Sequence, residues 1–146
     1  MKRKPFDHCI KENELLETGD IDKALASELL VLADHRQKFW EQIRLDDEYP
    51  SLYLEGHYEI IKELCTAILA LDGWKALNHE CLFVYLKSKR PEIEIDFDYL
   101  LDLKDTRNSI DYRGVKVSPD IWKQNKLRIA LTINALRAYI RKRLDD

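Results

Sequence analysis

The chain contains 146 residues with a mass of 17.3 kDa, a length typical of one domain. Hydrophobic residues make up 45% of it and charged residues 35%, which provides for a core beneath a densely charged surface. Four glycines and four prolines are too few for a sheet-rich fold with many tight turns or for a low-complexity chain. The sequence therefore predicts a single domain over residues 1–146.

The first part of the chain predicts a short helical segment followed by a long helix. An amphipathic stretch from Phe6 to Glu17 forms an N-terminal helical extension, residues 1–18, to a core of about residues 20–144. Asp20 or Asp22 can cap the next helix, which continues to about Asp47, because a carboxylate accepts hydrogen bonds from the unpaired N–H groups of a first turn. Apolar residues recur along this helix at three- and four-residue steps, which indicates one buried face.

Two further helices are predicted in the middle of the chain. One runs from about Leu52 to Leu71 and stops at Gly73, since glycine tolerates the left-handed conformation that ends helices. The next begins after a plausible cap at Asn78 and covers residues 79–89. Its nearly continuous apolar run indicates a central position, and Pro91 closes it.

Two helices complete the chain and define the predicted fold class. Asp96 or Asp98 can cap a helix that ends at Gly114. Ser118 and the proline after it are a strong start signal for a last helix that runs to about Leu144. Four main helices joined by short loops predict an all-α fold, an antiparallel up-and-down bundle of four to five helices.

The ends and the cysteines predict a cytoplasmic protein. The basic N-terminal residues are not followed by an apolar run, so no secretory signal is expected. No stretch of eighteen apolar residues occurs, so neither a membrane span nor a membrane partner is expected. Cys9, Cys65 and Cys81 are an odd, widely spaced set without a C-x-x-C pair, and they indicate reduced thiols. No motif for a metal or a cofactor is found, so neither is expected.

The charge is distributed unevenly along the chain. Residues 1–103 carry 13 basic and 22 acidic side chains, whereas residues 104–144 carry 11 basic and 3 acidic ones. The overall net charge of −3 therefore combines −9 in the first part, +8 in the second and two final aspartates. Such asymmetry points to an anionic partner.

A polar run, residues 104–114, ends the fourth main helix and contains side chains that could bind a phosphate. Arg107 and Asp111 lie four residues apart and can pair, and Asn108 and Tyr112 share the neighbouring stripe. A guanidinium holds a phosphate by two parallel hydrogen bonds, and an amide can orient a ribose or a base edge. The alternative is a solvated helix end with an ordinary surface ion pair.

The chain resembles the HEPN superfamily of small helical bundles, particularly its short stand-alone archaeal and bacterial members. Two stretches carry the resemblance, which spans about residues 20–144. Residues 58–81 are similar to a helix–glycine–helix passage of that type, and residues 103–114 are similar to its Arg-Asn signature region. The resemblance implies a homodimer with Arg107 and Asn108 near the dimer cleft.

In that family the signature is an arginine, a polar residue and, a few positions later, a histidine, and active members cleave RNA without metal. Carried over, Arg107 is the signature arginine and Asn108 the polar residue, but Tyr112 stands where the histidine is expected. The resemblance therefore implies a module that binds RNA or a nucleotide, or that pairs with a nucleotidyltransferase as in toxin–antitoxin systems. The alternative is an active metal-independent endoribonuclease in which Tyr112 or Asp111 transfers protons.

Whether the chain is an enzyme is left open between these two hypotheses. In either case the basic residues around the signature, Lys104, Arg113 and Lys116, are expected to contact nucleic acid. Those contacts would use the basic C-terminal third of the chain and would weaken as salt is added.

Overall fold

Helices dominate the structure, a computed structural model that describes residues 3–146. Within this range there are six helices and two short strands, which confirms the predicted all-α bundle. In chain order the elements are α1 (Phe6–Lys11), β1 (Leu15–Glu17), α2 (Lys23–Ile43), α3 (Pro50–Asp72), β2 (Trp74–Ala76), α4 (His79–Lys89), α5 (Phe97–Arg113) and α6 (Pro119–Asp145).

Local capping chemistry sets most helix boundaries, as the sequence predicted. In four helices the side chain before the first turn accepts a hydrogen bond from the N–H group three residues on. These caps are Asp22 for α2, Asn78 for α4, Asp96 for α5 and Ser118 for α6. Helices α3 and α5 end at Gly73 and Gly114, whose φ angles of 76° and 65° favour a residue without a Cβ.

The N-terminal segment differs from its predicted helix. Helix α1 ends at Lys11, and Asn13 turns the chain with a φ of 57°. The next residues form β1, which pairs antiparallel with β2 so that Leu15 lies opposite Ala76. Leu15 is buried, whereas the rest of the strand is exposed. A strand of three residues is too short to show an alternating apolar pattern, so the sequence did not predict it.

Two of the three cysteines form a disulfide bond, so the prediction of reduced thiols is wrong for them. Cys9 in α1 is bonded to Cys81 in α4 across a sequence separation of 72 residues, and both are fully buried. Cys65 is a buried free thiol. Burial raises the pKa of Cys65 far above its usual range, so this thiol is unreactive.

Helix α3 is the centre of the bundle, and the other long helices pack around it. Its buried side chains extend along most of its length, and a single outward strip stays accessible at Leu52, Glu55, Glu59, Lys62 and Thr66. The spacing of this strip is that of one helix face. None of the helices in residues 3–146 is both long and apolar enough to cross a bilayer.

A buried carboxylate ties the ends of three helices together. Asp72, at the end of α3, has a side chain that is only 2% exposed. It accepts hydrogen bonds from the Arg90 guanidinium at 2.6 and 2.8 Å and from the Tyr85 hydroxyl at 2.9 Å, and Arg143 of α6 lies 2.9 Å away. Burial opposes the ionisation of Asp72, but these hydrogen bonds outweigh it and lower the pKa of the carboxyl group.

The basic residues of α6 are largely neutralised by carboxylates from earlier elements. Arg137 lies 2.8 Å from Asp34 and Arg128 lies 2.7 Å from Asp96, and similar pairs recur along the helix. The others are Lys123–Asp47, Lys126–Asp46, Arg141–Asp34 and Arg143–Asp72. Most of the positive charge of α6 is therefore paired with carboxylates of the same chain, and only part of it is left to attract a partner.

Candidate functional site

The signature residues lie on the last turns of α5, beside the outward strip of α3. The Arg107 side chain is 20% exposed, with Nε 3.0 Å from Asp111 Oδ2 and Nη2 3.6 Å from Glu59 Oε1. Its guanidinium carbon lies 5.7 Å from the ring centre of Tyr58, at the distance of a cation–π contact. Two carboxylates and one aromatic ring thus hold this arginine.

The structure groups three of the four predicted catalytic residues and separates the fourth. Asn108 Oδ1 accepts a long hydrogen bond of 3.4 Å from Arg107 Nη1, and Asp111 pairs with the same guanidinium. Tyr112 is 79% exposed to solvent. Arg107, Asn108 and Asp111 are therefore neighbours, while the ring at the expected histidine position faces solvent.

The three predicted nucleic-acid contacts have different surroundings. Lys104 is buried, and its ammonium lies 3.0 Å from Glu80 Oε1 and 3.4 Å from Asp105 Oδ1. Arg113 and Lys116 are exposed at the end of α5, and neither forms an ion pair within residues 3–146. Arg113 and Lys116 are accessible to a phosphate, whereas Lys104 is engaged inside the protein.

A carboxyl pair that the sequence did not suggest lies beside Arg107. The Glu55 carboxyl group of α3 lies close to that of Asp111, which also pairs with Arg107. Burial raises the pKa of Glu55, and the neighbouring Asp111 carboxyl group raises it further. Glu55 therefore keeps a proton at a higher pH than an ordinary glutamate does. Nothing in the sequence distinguishes it from the other glutamates of α3.

A histidine also lies close to Arg107 in space, although none is close in the sequence. His79 begins α4, and its Nδ1 is 2.8 Å from the hydroxyl of Tyr58, the residue whose ring contacts Arg107. Burial raises the pKa of Tyr58 well above its usual range, so its hydroxyl stays protonated, and we assign this hydroxyl as the donor to Nδ1. This assignment leaves the hydrogen of the neutral ring on Nε2.

The surroundings of His79 keep its ring neutral at pH 7. Burial lowers the pKa of His79, and the positive charges of Lys62 and Arg107 lower it further. No motif in the sequence joins Tyr58 to His79. The two residues lie near opposite ends of residues 58–81, the stretch that resembles the HEPN superfamily. Their contact depends on how α3 packs against α4, which spacing along one helix does not reveal.

The cavity beside Arg107 is small and flanked by acids. It has a volume of about 190 Å³ and is lined by Trp40, Leu52, Glu55, Gly56, Glu59 and Arg107. A phosphate placed there would meet two acidic side chains as well as the guanidinium, and would compete with Asp111 for it. The cavity alone therefore does not form an anion site.

One group of side chains has metal-ligating chemistry, but its geometry does not fit a metal. Atoms of Cys9, Glu14 and Cys81 lie within 4.8 Å of one another. The two sulfur atoms are bonded to each other, and the Lys4 ammonium lies 3.0 Å from the Glu14 carboxylate. A cation already neutralises the only oxygen ligand of the group, so these residues do not fit a metal ion.

No protein-family model matches the chain, and no curated protein or solved structure is significantly similar to it. Its chemistry therefore rests on the side chains described above. Glu55 can hold a proton, His79 can donate a hydrogen bond from Nε2, and Arg113 and Lys116 can contact an anion beside the exposed ring of Tyr112.

Proposed function

We propose that the chain is a HEPN-like module that binds single-stranded RNA through the end of α5 and does not cleave it. One observation carries the proposal: Tyr112 is exposed beside Arg113 and Lys116, which form no ion pair within the described residues. An exposed ring on which a base can stack, next to cations that contact phosphates, is the usual combination for binding a single strand. We call Tyr112, Arg113 and Lys116 together the α5 tip.

The environment of Arg107 supports binding without cleavage. Metal-free cleavage needs a cation at the phosphate and a group that accepts the 2′-hydroxyl proton. Asp111 and Glu59 already hold the Arg107 guanidinium, and a tyrosine replaces the histidine of the family signature. A phosphate at Arg107 would meet the negative charges of both carboxylates, so this arginine is poorly placed to stabilise the charge of a cleavage step.

A homodimer belongs to the same proposal. Exposed apolar side chains at Leu52 and Val115 lie on the side of the α5 tip, since the Val117 N–H group donates to the Ser51 hydroxyl at the start of α3. A second copy covering this surface would bring two α5 tips together on one RNA. A nucleotidyltransferase, the other partner implied by the resemblance, is the competing occupant of this face.

RNA binding is tested by fluorescence anisotropy with a labelled single-stranded RNA pool. We expect Tyr112→Ala to weaken binding about tenfold, because stacking contributes about 1–3 kcal/mol per base. We expect the double variant Arg113→Ala/Lys116→Ala to reduce the slope of log K against log salt by about 1.4, at roughly 0.7 per phosphate contact. Lys142→Ala is the matched control, since Lys142 is an exposed cation remote in sequence from the tip. An equal loss of RNA affinity in Lys142→Ala would contradict the proposal.

The dimer is tested separately by light scattering of Leu52→Asp. A charge on this exposed residue should turn a dimer into a monomer without loss of helical content, because the side chain is not part of the core. A monomeric wild-type protein would remove the homodimer from the proposal while leaving the RNA test intact.

A second candidate, a metal-independent endoribonuclease, is favoured by the position of Glu55, whose pKa is raised, beside Arg107 and Asp111. In this alternative Asp111 accepts a proton and Glu55 donates one to the leaving oxygen. Incubation of the RNA pool with EDTA, followed by a search for cyclic-phosphate ends, distinguishes the two candidates. Cleavage that is lost in Arg107→Ala and Glu55→Gln, but kept in the control Glu48→Gln, would replace the binding module by an enzyme.

A further inference from the structure

A cavity larger than the one beside Arg107 opens on another part of the molecule. It lies between the start of α2, the outward strip of α3, strand β2 and the start of α4, and its volume is about 590 Å³. Cavities of about 300–1,000 Å³ are typical of small-molecule sites. The RNA contacts proposed for the α5 tip do not involve any of its lining residues.

The walls of this cavity are mostly apolar. Leu69 and Leu82 are buried at its floor, and Trp74 of β2 forms part of one wall. Ile21 and Leu77 are large exposed apolar residues at its rim, with exposed fractions of 63% and 56%. Exposed apolar side chains around an apolar cavity indicate a surface that a ligand covers.

One end of the cavity presents hydrogen-bond donors. His79 lines this end and its Nδ1 is engaged by the Tyr58 hydroxyl, so the group left for a ligand is the Nε2–H donor. The Lys62 ammonium lies at the same end, where a single ion pair of 2.8 Å joins it to Glu59. An ammonium has three donors, so Lys62 can hold a second acceptor without leaving Glu59.

The acids that line the cavity do not share this end with the donors. Asp20 and Asp22 belong to the segment that leads into α2, and the Asp22 carboxylate caps that helix by accepting from the Leu25 N–H group. The lining therefore has an acidic start of α2, an apolar middle, and a donor end at α3 and α4.

We propose that this cavity binds a small carboxylate with an apolar body, with the carboxylate at His79 and Lys62 and the hydrocarbon between Leu25, Leu69 and Leu82. A carboxylate accepts from both donors, and the apolar walls exclude water from the rest of the ligand. This site is independent of the proposed RNA contact, so each proposal can fail alone.

The test is a calorimetric titration of the full chain with octanoate, using 1-octanol as the neutral control of equal length and octylamine as the cationic one. We expect saturable binding of octanoate, binding of octanol weaker by tenfold or more, and no binding of octylamine. Trp74 fluorescence should change on binding, because this residue forms part of the cavity wall.

Two variants examine the donor end. Lys62→Met keeps the length of a partly exposed side chain and should weaken octanoate binding about tenfold, the effect of losing one charge-assisted hydrogen bond. His79→Gln keeps a side-chain N–H donor and should bind more tightly than His79→Ala, with circular dichroism confirming that both are folded. Lys142→Met is the control and should bind as the wild type does. Equal affinity for octanol and octanoate, or wild-type affinity in both Lys62→Met and His79→Ala, would overturn the proposal.

Discussion

Breaking the Cys9–Cys81 disulfide is expected to remove a large part of the stability of the fold. The bond spans 72 residues and fixes α1 and β1 against α4. Closing a loop of this size lowers the entropy of the unfolded chain by an amount that corresponds to about 4 kcal/mol at 25 °C. Domains of this kind have a total free energy of unfolding of about 5–15 kcal/mol, so reduction should leave a marginal fold.

The assay is urea unfolding followed by far-ultraviolet circular dichroism, with and without dithiothreitol. The reductant should lower the free energy of unfolding by about 4 kcal/mol in the wild type and in Cys65→Ala, which keeps the bond. It should have no effect on the double variant Cys9→Ser/Cys81→Ser, which lacks the bond. The helices packed around α3 do not depend on α1, so the reduced protein should keep most of its helical signal.

Thiol counting examines the premise directly. Unfolded without reductant, the purified protein should expose one reactive thiol, that of Cys65, and after reduction all three. Three thiols before reduction would show that the bond is absent, and a loss of stability below about 1 kcal/mol on reduction would contradict the predicted stabilisation.

Three further outcomes follow from the packing and the charges. Asp72→Asn should lower stability by about 2 kcal/mol at pH 7, since two arginines lose their shared carboxylate. Because the pKa of Asp72 is lowered in the fold, its contribution is present above the unfolded pKa of about 4 and is lost below it, so urea midpoints of the variant should depend less on pH in that acidic range. Gly56→Ala should cost about 1–3 kcal/mol in a thermal melt, because a Cβ at this position would overlap the Trp40 indole, and Trp40→Leu should relieve most of that cost. The pKa values of His57 and His79 are lowered, chiefly by burial, so the fold prefers both rings neutral. Stability should therefore fall as the pH drops below about 6.5, and His57→Gln should flatten that decline.

The parts of the fold that depend on neighbouring residues could be predicted from the sequence. The caps at Asp22, Asn78 and Ser118 and the stop at Gly73 each act within one turn of the helix they delimit. Such short-range interactions can be recognised from the residue types in the sequence, because one residue satisfies backbone groups only three or four positions away.

The parts that depend on packing between helices could not be predicted in this way. The spacing of four residues indicated the pair between Arg107 and Asp111, but no spacing indicates Glu59, which completes the environment of that arginine from α3. The contact between Tyr58 and His79 likewise joins two helices and has no sequence signature. The site is thus more acidic and less available to a phosphate than its four predicted residues alone suggested.

The same limit applies to the cysteines. An odd number of widely spaced cysteines is typical of reduced thiols, but Cys9 and Cys81 are brought together because α1 lies against the start of α4. There the Lys4 N–H group donates to Glu80 at 2.7 Å. The segment that carries Cys9 was itself predicted as a longer helix, whereas the structure ends this helix at Lys11.

The ion pairs of α6 also bear on the order in which the protein assembles. Residues 1–118 carry 17 basic and 24 acidic side chains, a net charge of −7, whereas residues 119–145 carry 7 basic and 2 acidic ones, a net charge of +5. During synthesis the ribosome therefore releases a strongly acidic partial bundle before the helix that neutralises it. Attraction between the two parts acts over a screening length of about 8 Å at physiological salt and favours the docking of α6 on the rest of the bundle. A chain cut in the loop before Ser118 would behave as two fragments of opposite charge, which reassemble in dilute salt and separate in concentrated salt.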